Sequence, residues 1–508
     1  MALNDITINY GQGGLGRALD GEDYYSGMLF YTDNNPLNNS QNQAQILSLQ
    51  QAEQLGIVGD YSDETPATIT YSVDTAGVTG DTLKIVMTEP FKYVTIADIS
   101  IPASITGDAT AQANYIVNAI NNGTRTHGYT AEVDNSINVI ITFRAGMGVY
   151  PNVSSQNTYQ TGTLDFIFVS TTNGVASEKA VWHYHIAEYF RLQTSGNLRV
   201  YFANKSGNAY DFAELGVMQG SATGKLRQVA IYLANTGNTI VNDISVIQSI
   251  QAQVDLLIAL HLPMSTIVAF DGYSVSDLTT LVDLGAYDCR SVSVTIGQDG
   301  NNLGGSLTAS CGFSMTDLGA VLGAVSLSAV NEDIAWVSKF NMTNGTELLY
   351  PAFLNTDLVD MVGQANLLTQ LNNYRYLFLR QFVGVAGTFV NDNHCAISEA
   401  NDYAYMNDNR VIDKAHRLLY AGVLPFLNGT IKLEADGTLS LSSCGYVQGL
   451  ASSSLDAMVR NNEISNFEIL IDPAQNILAT STLVITANIQ PTGVARHITI
   501  NLGFVTSI

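Results

Sequence analysis

NDNRVIDKAHRLLYAGVLPFLNG (residues 407–429) reads as one long helix, and the segments after it, up to Ile508, decide the fold. TIKLEADGTLSLSS (430–443) reads as a strand pair around a turn, and residues 452–462 as a short polar helix. ISNFEILID (464–472) and STLVITANIQ (481–490) read as two further strands. The last is RHITINLGFV (496–505), where Ile498, Ile500, Leu502 and Phe504 alternate with Thr499, Asn501 and Gly503. That is the period of a strand with one apolar face. Such a strand must bury its face, and a neighbouring copy of the same protein is the expected partner.

The other end of the chain repeats the device. ITINY places Ile6, Ile8 and Tyr10 on one face of a short strand, followed by a glycine-rich extended arm (11–27) and the strand MLFYTD (28–33). Termini fray unless tied down, so two patterned ends call for partners. Residues 37–56 read as a helix stopped by Gly56. From 61 to 177 Thr, Val, Asp and Gly dominate, giving strands at 68–74, 81–88, 91–101 and 138–145 around a helix at 110–123. This reads as an inserted, mostly β domain whose tail (146–163) is a loop.

From Glu178 the strands LRVYFA, QVAIYLA, TIVAFDG and SVSVTIGQ alternate with helical runs at 242–261, 274–285 and 315–327. Near-continuous apolar strands between amphipathic helices imply a sheet covered on both faces. A helix at 358–374 and strands at 376–383 and 387–392 lead into the C-terminal stretch. The expected organisation is an arm (1–27), the start of a core (28–60), the insertion (61–177), an α/β domain (178–400) and a C-terminal domain (401–508). The fold class is therefore α/β and α+β multidomain.

Composition narrows the function. Apolar residues make up 46% of the 508 and charged residues only 13%, as suits a surface largely hidden in an assembly. The 45 acidic residues outnumber 21 basic ones, a net charge of −24 that argues against nucleic-acid binding, which needs basic stripes on phosphates. Four widely spaced cysteines without CxxC suggest reduced thiols, not a zinc site. MALNDITINY has no basic segment followed by an apolar one, so no signal peptide is expected. No apolar run is long enough to span a membrane.

Motifs that carry chemistry do not hold up. Gly11, Gly13 and Gly16 match G-x-G-x-x-G, but a polar, glycine-broken segment follows where a dinucleotide site needs a helix. Gly224-Lys225 lacks the P-loop spacing, and Leu226 stands where Ser or Thr would hold magnesium. His183 and His185, read on one side of a strand beside Trp182 and Tyr184, have no third ligand. The loop Asp299-Gly-Asn-Asn lacks the alternating oxygens of a calcium site. No catalytic, cofactor or metal residue is assigned. Arg410, Lys414 and Arg417, spaced by four and three, form a basic helical face that is either solvated or set against an acidic partner.

In order and spacing, GGLGRALDGEDYYSGMLFY, AVNEDIAWVSKFN, NDNRVIDKAHRLLYAGVLPFLNGTI, NEISNFEILIDPAQNILATSTLVITANIQPTG and the terminal strand resemble the tail sheath proteins of contractile phage tails and related contractile injection systems. The resemblance spans 1–60 and 178–508. It implies stacked hexameric rings around an inner tube protein, contacts with baseplate and tail terminator proteins, no cofactor, and no nucleic-acid binding or membrane insertion. It further implies contraction that drives the tube through a target envelope, and strand exchange between subunits' C-terminal domains through Ile6, Ile8, Tyr10, Ile498, Ile500, Leu502 and Phe504. The joints would be Gly11–Gly27 and Pro491–Ala495. A C-terminal helix would touch the tube, either at Arg410, Lys414 and Arg417 or at Asp456 and Arg460. Assembly in the bacterial cytoplasm into a virion tail or extracellular particle would follow. The sheath of a non-phage injection system and an α/β enzyme with an inserted β domain are the alternatives.

Overall fold

A computed structural model describes residues 23–37, 42–153, 156–204, 210–233, 244–270, 274–343, 345–353 and 356–504. Its centre is the strand Tyr25–Tyr31, which lies between Asn197–Ala203 and Gln228–Leu233 and runs parallel to both. Ser265–Ala269 and Val292–Thr295 extend the sheet in parallel on one side, and Gln43–Ile46 closes the other edge antiparallel. Alternate residues of the central strand feed two layers. Met28 and Phe30 enter a core with Trp182, Phe202 and Val321, while Leu29 and Tyr31 enter another with Val229, Met218 and Ile250. Both faces are covered, as the near-continuous apolar strands require.

Helix Glu178–Leu192 starts where Ser177 Oγ accepts the Ala180 amide (3.0 Å) and Asp63 accepts those of Glu178 and Lys179 (both 3.1 Å). This carboxylate at a helix N-terminus satisfies orphan amides and complements the helix dipole. The helix packs closely on helix Leu318–Leu327 through Gly319 and Gly323. A Cβ at Gly319 would strike the backbone carbonyl of His185, and one at Gly323 would sit 2.8 Å from that of Tyr189.

The segment between the bridged residues Thr65 and Val175 builds its own sheets, one of four strands and one of three, around helix Ala109–Asn122. Ile85, Ile116, Ile120, Val139 and Phe166 belong to its separate core. Buried Gln112 ties this layer by accepting from Gly77 N (2.8 Å) and donating to Gly77 O (2.8 Å) and Ile105 O (3.0 Å).

After residue 401 the chain forms helices Met406–Val423 and Leu441–Arg460 and a hairpin of Ile464–Leu470 with Thr486–Pro491. Val411, Ala415, Ala451, Leu455, Met458, Ile464 and Ile469, with Val330 from the preceding region, form its core.

Several expectations are corrected. The strand pair at 430–443 reduces to one bridge, Leu433–Leu439, because Ser440 caps the helix that starts at Leu441. The short helix at 452–462 is thus the end of a long one, whose Gly445, Gly449 and serines obscure its propensity. Gly27 lies inside the central strand, not in a joint, and an added Cβ would crowd Met218 and Val229. Within the helix read over 37–56, Gln43–Ile46 is a strand and only Leu49–Gln54 is helical. The run 274–285 holds only the short turns Asp277–Thr280 and Leu284–Ala286, and the helix read over 358–374 is confined to Ala365–Asn373. Part of the 146–163 loop is the strand Asn157–Gln160, and Asp165–Thr172 is a further strand.

Gly319→Ala is expected to destabilise the protein by roughly 2–3 kcal/mol, because the clash is with backbone and no rotamer relieves it. Chemical denaturation checks this, and an unchanged midpoint would show that the two helices separate freely.

Candidate assembly interface

The hairpin Ile464–Leu470/Thr486–Pro491 is a sheet of only two strands among the described residues, so both outer edges are open. Its inner face, with Ile464, Ile469, Ala487 and Ile489, rests on the helical core. Two strands alone are marginal, and open edges are templates for pairing.

Beyond the hairpin the chain is held twice and then released. Asn331 Nδ2 donates to Thr492 Oγ1 (3.1 Å) and to Asn462 O (3.0 Å). Arg496 then enters a clasp. Its guanidinium lies 3.4 Å from the centroid of the Tyr405 ring and reaches Asp392 Oδ1 (3.2 Å) and Asp333 Oδ2 (3.1 Å). It also contacts the side-chain oxygens of Asn393 and Asn407 (both 3.3 Å). Burial and the charge of Asp392 push the Asp333 carboxyl up. Burial also raises Asp392, but its interactions with His394 and the Arg496 guanidinium outweigh it and hold the group low.

After the clasp, Ile498, Ile500, Leu502 and Phe504 are 77%, 75%, 93% and 109% exposed, and the tail has no strand partner among the described residues. Four large apolar side chains stand in water at two-residue spacing. Ile6, Ile8 and Tyr10 lie outside the described residues.

The basic helical face is neither solvated nor open to a partner. Arg410 is 5% exposed and donates to Ser328 Oγ (2.6 Å), Ser328 O (3.1 Å) and Ala329 O (3.3 Å). Lys414 Nζ bridges Asp23 (2.6 Å) and Glu463 (2.7 Å), and Arg417 reaches Asp23 (3.6 Å). The face therefore points inward, where half-buried Asp23 and buried Glu463 take its charges. Asp456 and Arg460 lie on the exposed side of helix Leu441–Arg460. At its other end the same helix exposes Leu441 (78%) and Tyr446 (61%), with Tyr446 touching Phe426. Sequence patterning pointed to the tail and not to its clasp. The one available signal was Arg496 itself, the last basic residue and isolated at the root of the apolar alternation.

Other candidates resolve into structural roles. His183 and His185 lie on a helix, not a strand, so they point apart. His183 Nε2 meets Glu53 (3.1 Å), while His185 is buried beside Phe30 and Tyr232, its pKa lowered to about 3 by burial. Gly224 turns the chain from a helix into a strand, the reverse of a P-loop. Buried Asp299 accepts from Leu348 N (3.1 Å) and Asn301 N (3.3 Å). Among the described residues no group of three or more His, Cys, Asp or Glu is arranged to hold a metal, and no helix is long and apolar enough to cross a membrane. The cysteines are free thiols, and burial pushes Cys311 up to about 12.

Family models described as "DUF2586, N-terminal domain" and "DUF2586, C-terminal domain" match residues 3–394 and 402–508. No curated protein sequence matches the chain. Among solved structures, it is similar to a chain of the anti-feeding prophage (AFP) baseplate, at 14% identity over 64% of this chain and 80% of that one, with a TM-score of 0.41. It is also similar to a chain of the PVC sheath complex of an extracellular contractile injection system in the contracted state, at 12% identity, the same coverages and a TM-score of 0.41. A chain of the contracted AFP baseplate gives 11% identity over 64% and 84%, with a TM-score of 0.38.

Burial raises the Asp23 carboxyl, but Lys414, with Arg410 and Arg417, more than offsets this and holds it below its ordinary value. Its contribution to stability is thus present above an unfolded pKa of about 3.9 and is lost as pH falls through the folded value. Asp23→Asn is expected to lower Tm at pH 7 and to flatten the fall in Tm between about pH 5 and pH 2. Melting curves across that range check it; parallel curves for the two proteins would remove the link between Asp23 and the C-terminal helix.

Proposed function

The chain belongs to the DUF2586 family, and we propose that it is a structural, non-enzymatic sheath subunit of a contractile tail or injection particle. The observation that carries this is the apolar tail 498–504, rooted by Arg496 and unpaired, in the same unit as a hairpin with open edges. One copy's tail supplies the strand that another copy's hairpin lacks. Backbone hydrogen bonds provide affinity, and Ile498, Ile500, Leu502 and Phe504 set the register. Ile6, Ile8 and Tyr10 donate a second strand from the N-terminus.

Burying the four apolar side chains is worth roughly 6–12 kcal/mol, at about 1.5–3 each. Ordering the tail costs about 1–2 kcal/mol per residue, so a single donated strand is marginal. Two arms per subunit, repeated through hexameric rings stacked around an inner tube, make the mesh strong by multivalency. Contraction moves the α/β units as rigid bodies while the exchanged strands keep them connected. Residues 61–177 are an insertion on this core. Tube contact falls to the exposed side of helix Leu441–Arg460, at Asp456 and Arg460, since Arg410, Lys414 and Arg417 are paired inside the protomer. Assembly takes place in the bacterial cytoplasm, with baseplate and terminator proteins as further partners.

An enzyme on this parallel sheet would bind its ligand beyond the carboxyl ends of the central strands. There Tyr31 donates to Glu214 (2.9 Å) and Thr32 to Glu178 (2.6 Å), which favours the structural role.

Electron microscopy of the purified chain should show hollow ridged tubes, and deleting 499–508 should abolish them while leaving a folded core. Ile500→Lys with Leu502→Lys should have the same effect, whereas Thr499→Lys with Asn501→Lys should be tolerated far better. Tubes from the truncated chain would end the strand-donation model. Charge reversal at Asp456 and Arg460 should leave self-assembly intact and abolish co-assembly with the tube; sheathed tubes from that double variant would move the tube contact elsewhere.

A further inference from the structure

Helix Ala365–Asn373, the chain from Arg375 to Arg380, residues 391–399, Tyr405 and Arg496 surround a cavity of about 610 Å³, within the range of small-molecule sites. In a chain with 21 basic residues, three arginines line this one space. Arg496 is committed to Asp333 and Asp392. Among the described residues, Arg375 and Arg380 have no carboxylate within ion-pair distance.

Arg375 is 2% exposed, its guanidinium lies 4.7 Å from the Tyr405 ring centroid, and it donates to Ala404 O. Its Nε has no acceptor. Arg380 stacks 4.3 Å from the Phe382 ring centroid, and its Nε also lacks an acceptor. A buried guanidinium with an open donor is costly unless an anion completes it. Of the carboxylates on the wall, Asp392 is taken by Arg496, which leaves Glu399. Its contact is with the Tyr405 hydroxyl, at 3.5 Å.

The rest of the wall indicates the body of the ligand. His394 is 2% exposed, and burial lowers its pKa to about 3, so the ring is neutral at pH 7. With Nε2 donating to Asn372 Oδ1 (3.1 Å), the unpartnered Nδ1 is an acceptor that suits a hydroxyl. Leu368 and Phe378 add apolar lining.

We propose that this cavity binds a small hydroxylated organic anion, a sugar phosphate or sugar acid, with Arg375 and Arg380 on its oxyanion and His394 on a hydroxyl. A planar fork suits such an oxyanion, and two forks select it over the neutral sugar. The site shares Tyr405 with the Arg496 clasp, so it adjoins the root of the tail, yet it does not depend on the assembly model.

Isothermal titration of the full chain with glucose 6-phosphate, gluconate and glucose tests this. Saturable binding of one anion per chain is expected, with the first two probes separating phosphate from carboxylate and glucose at least about tenfold weaker. Arg380→Gln, at the less buried arginine, should weaken the anion about tenfold without changing Tm, and Arg375→Lys should weaken it while keeping the charge. Equal binding of glucose, no saturation by either anion below about 10 mM, or wild-type affinity in both variants would overturn the proposal.

Discussion

An apolar strand makes two demands, that its side chains be covered and its backbone edges be paired, and this structure is organised by where they are met. Tyr25–Tyr31 meets both within the chain, with parallel neighbours on each side and a packed layer on each face. The layers of the α/β region follow from it. Among the described residues, the tail 498–504 meets neither demand. Its four exposed apolar side chains are an unfavourable surface that the described residues leave uncovered.

Charge placement follows a related economy. With few cations, the chain puts them where buried carboxylates need them. Lys414 and Arg417 hold Asp23, Arg144 pairs with Glu89 (2.7 Å), and Arg496 gathers Asp333 and Asp392. Two of these ties join segments far apart in sequence. Asp23, at the start of the central strand, is bound to the helix after residue 406, and Arg496 holds the tail's root against the α/β region. Through them the C-terminal unit and the sheet share a boundary that is polar and paired, and the tail leaves it from a fixed point.

Where side-chain period alone governs, the elements were legible in the sequence. Leu198–Ala203, Gln228–Leu233 and Ser265–Ala269 are near-continuous apolar runs of strand length, as strands covered on both faces require. The alternation at Ile498–Phe504 stood out for the same reason. Where local signals compete, legibility failed. The serines and glycines of 441–454 favour turns when read alone, and packing of Val447, Ala451 and Leu455 overrides them. Asn157–Gln160 has almost no apolar signal and is a strand because Leu83–Val86 offers it an edge. The basic face of Met406–Val423 was visible as a pattern, but its direction was not, since helical spacing says which residues share a face and nothing about what that face meets.

The sequence by itself therefore determined the class of the fold, the covered parallel sheet, the separate texture of residues 61–177, and the apolar alternation of the tail. These depend on the order of residues along one element, and a period of two or of 3.6 is a local property. Only the tertiary structure decided that Arg410, Lys414 and Arg417 turn inward, that Arg496 is the tail's anchor, and that Arg375 and Arg380 meet at one cavity. Ion pairs and cavities join residues hundreds of positions apart, and their energies depend on burial and distance, which no local pattern encodes.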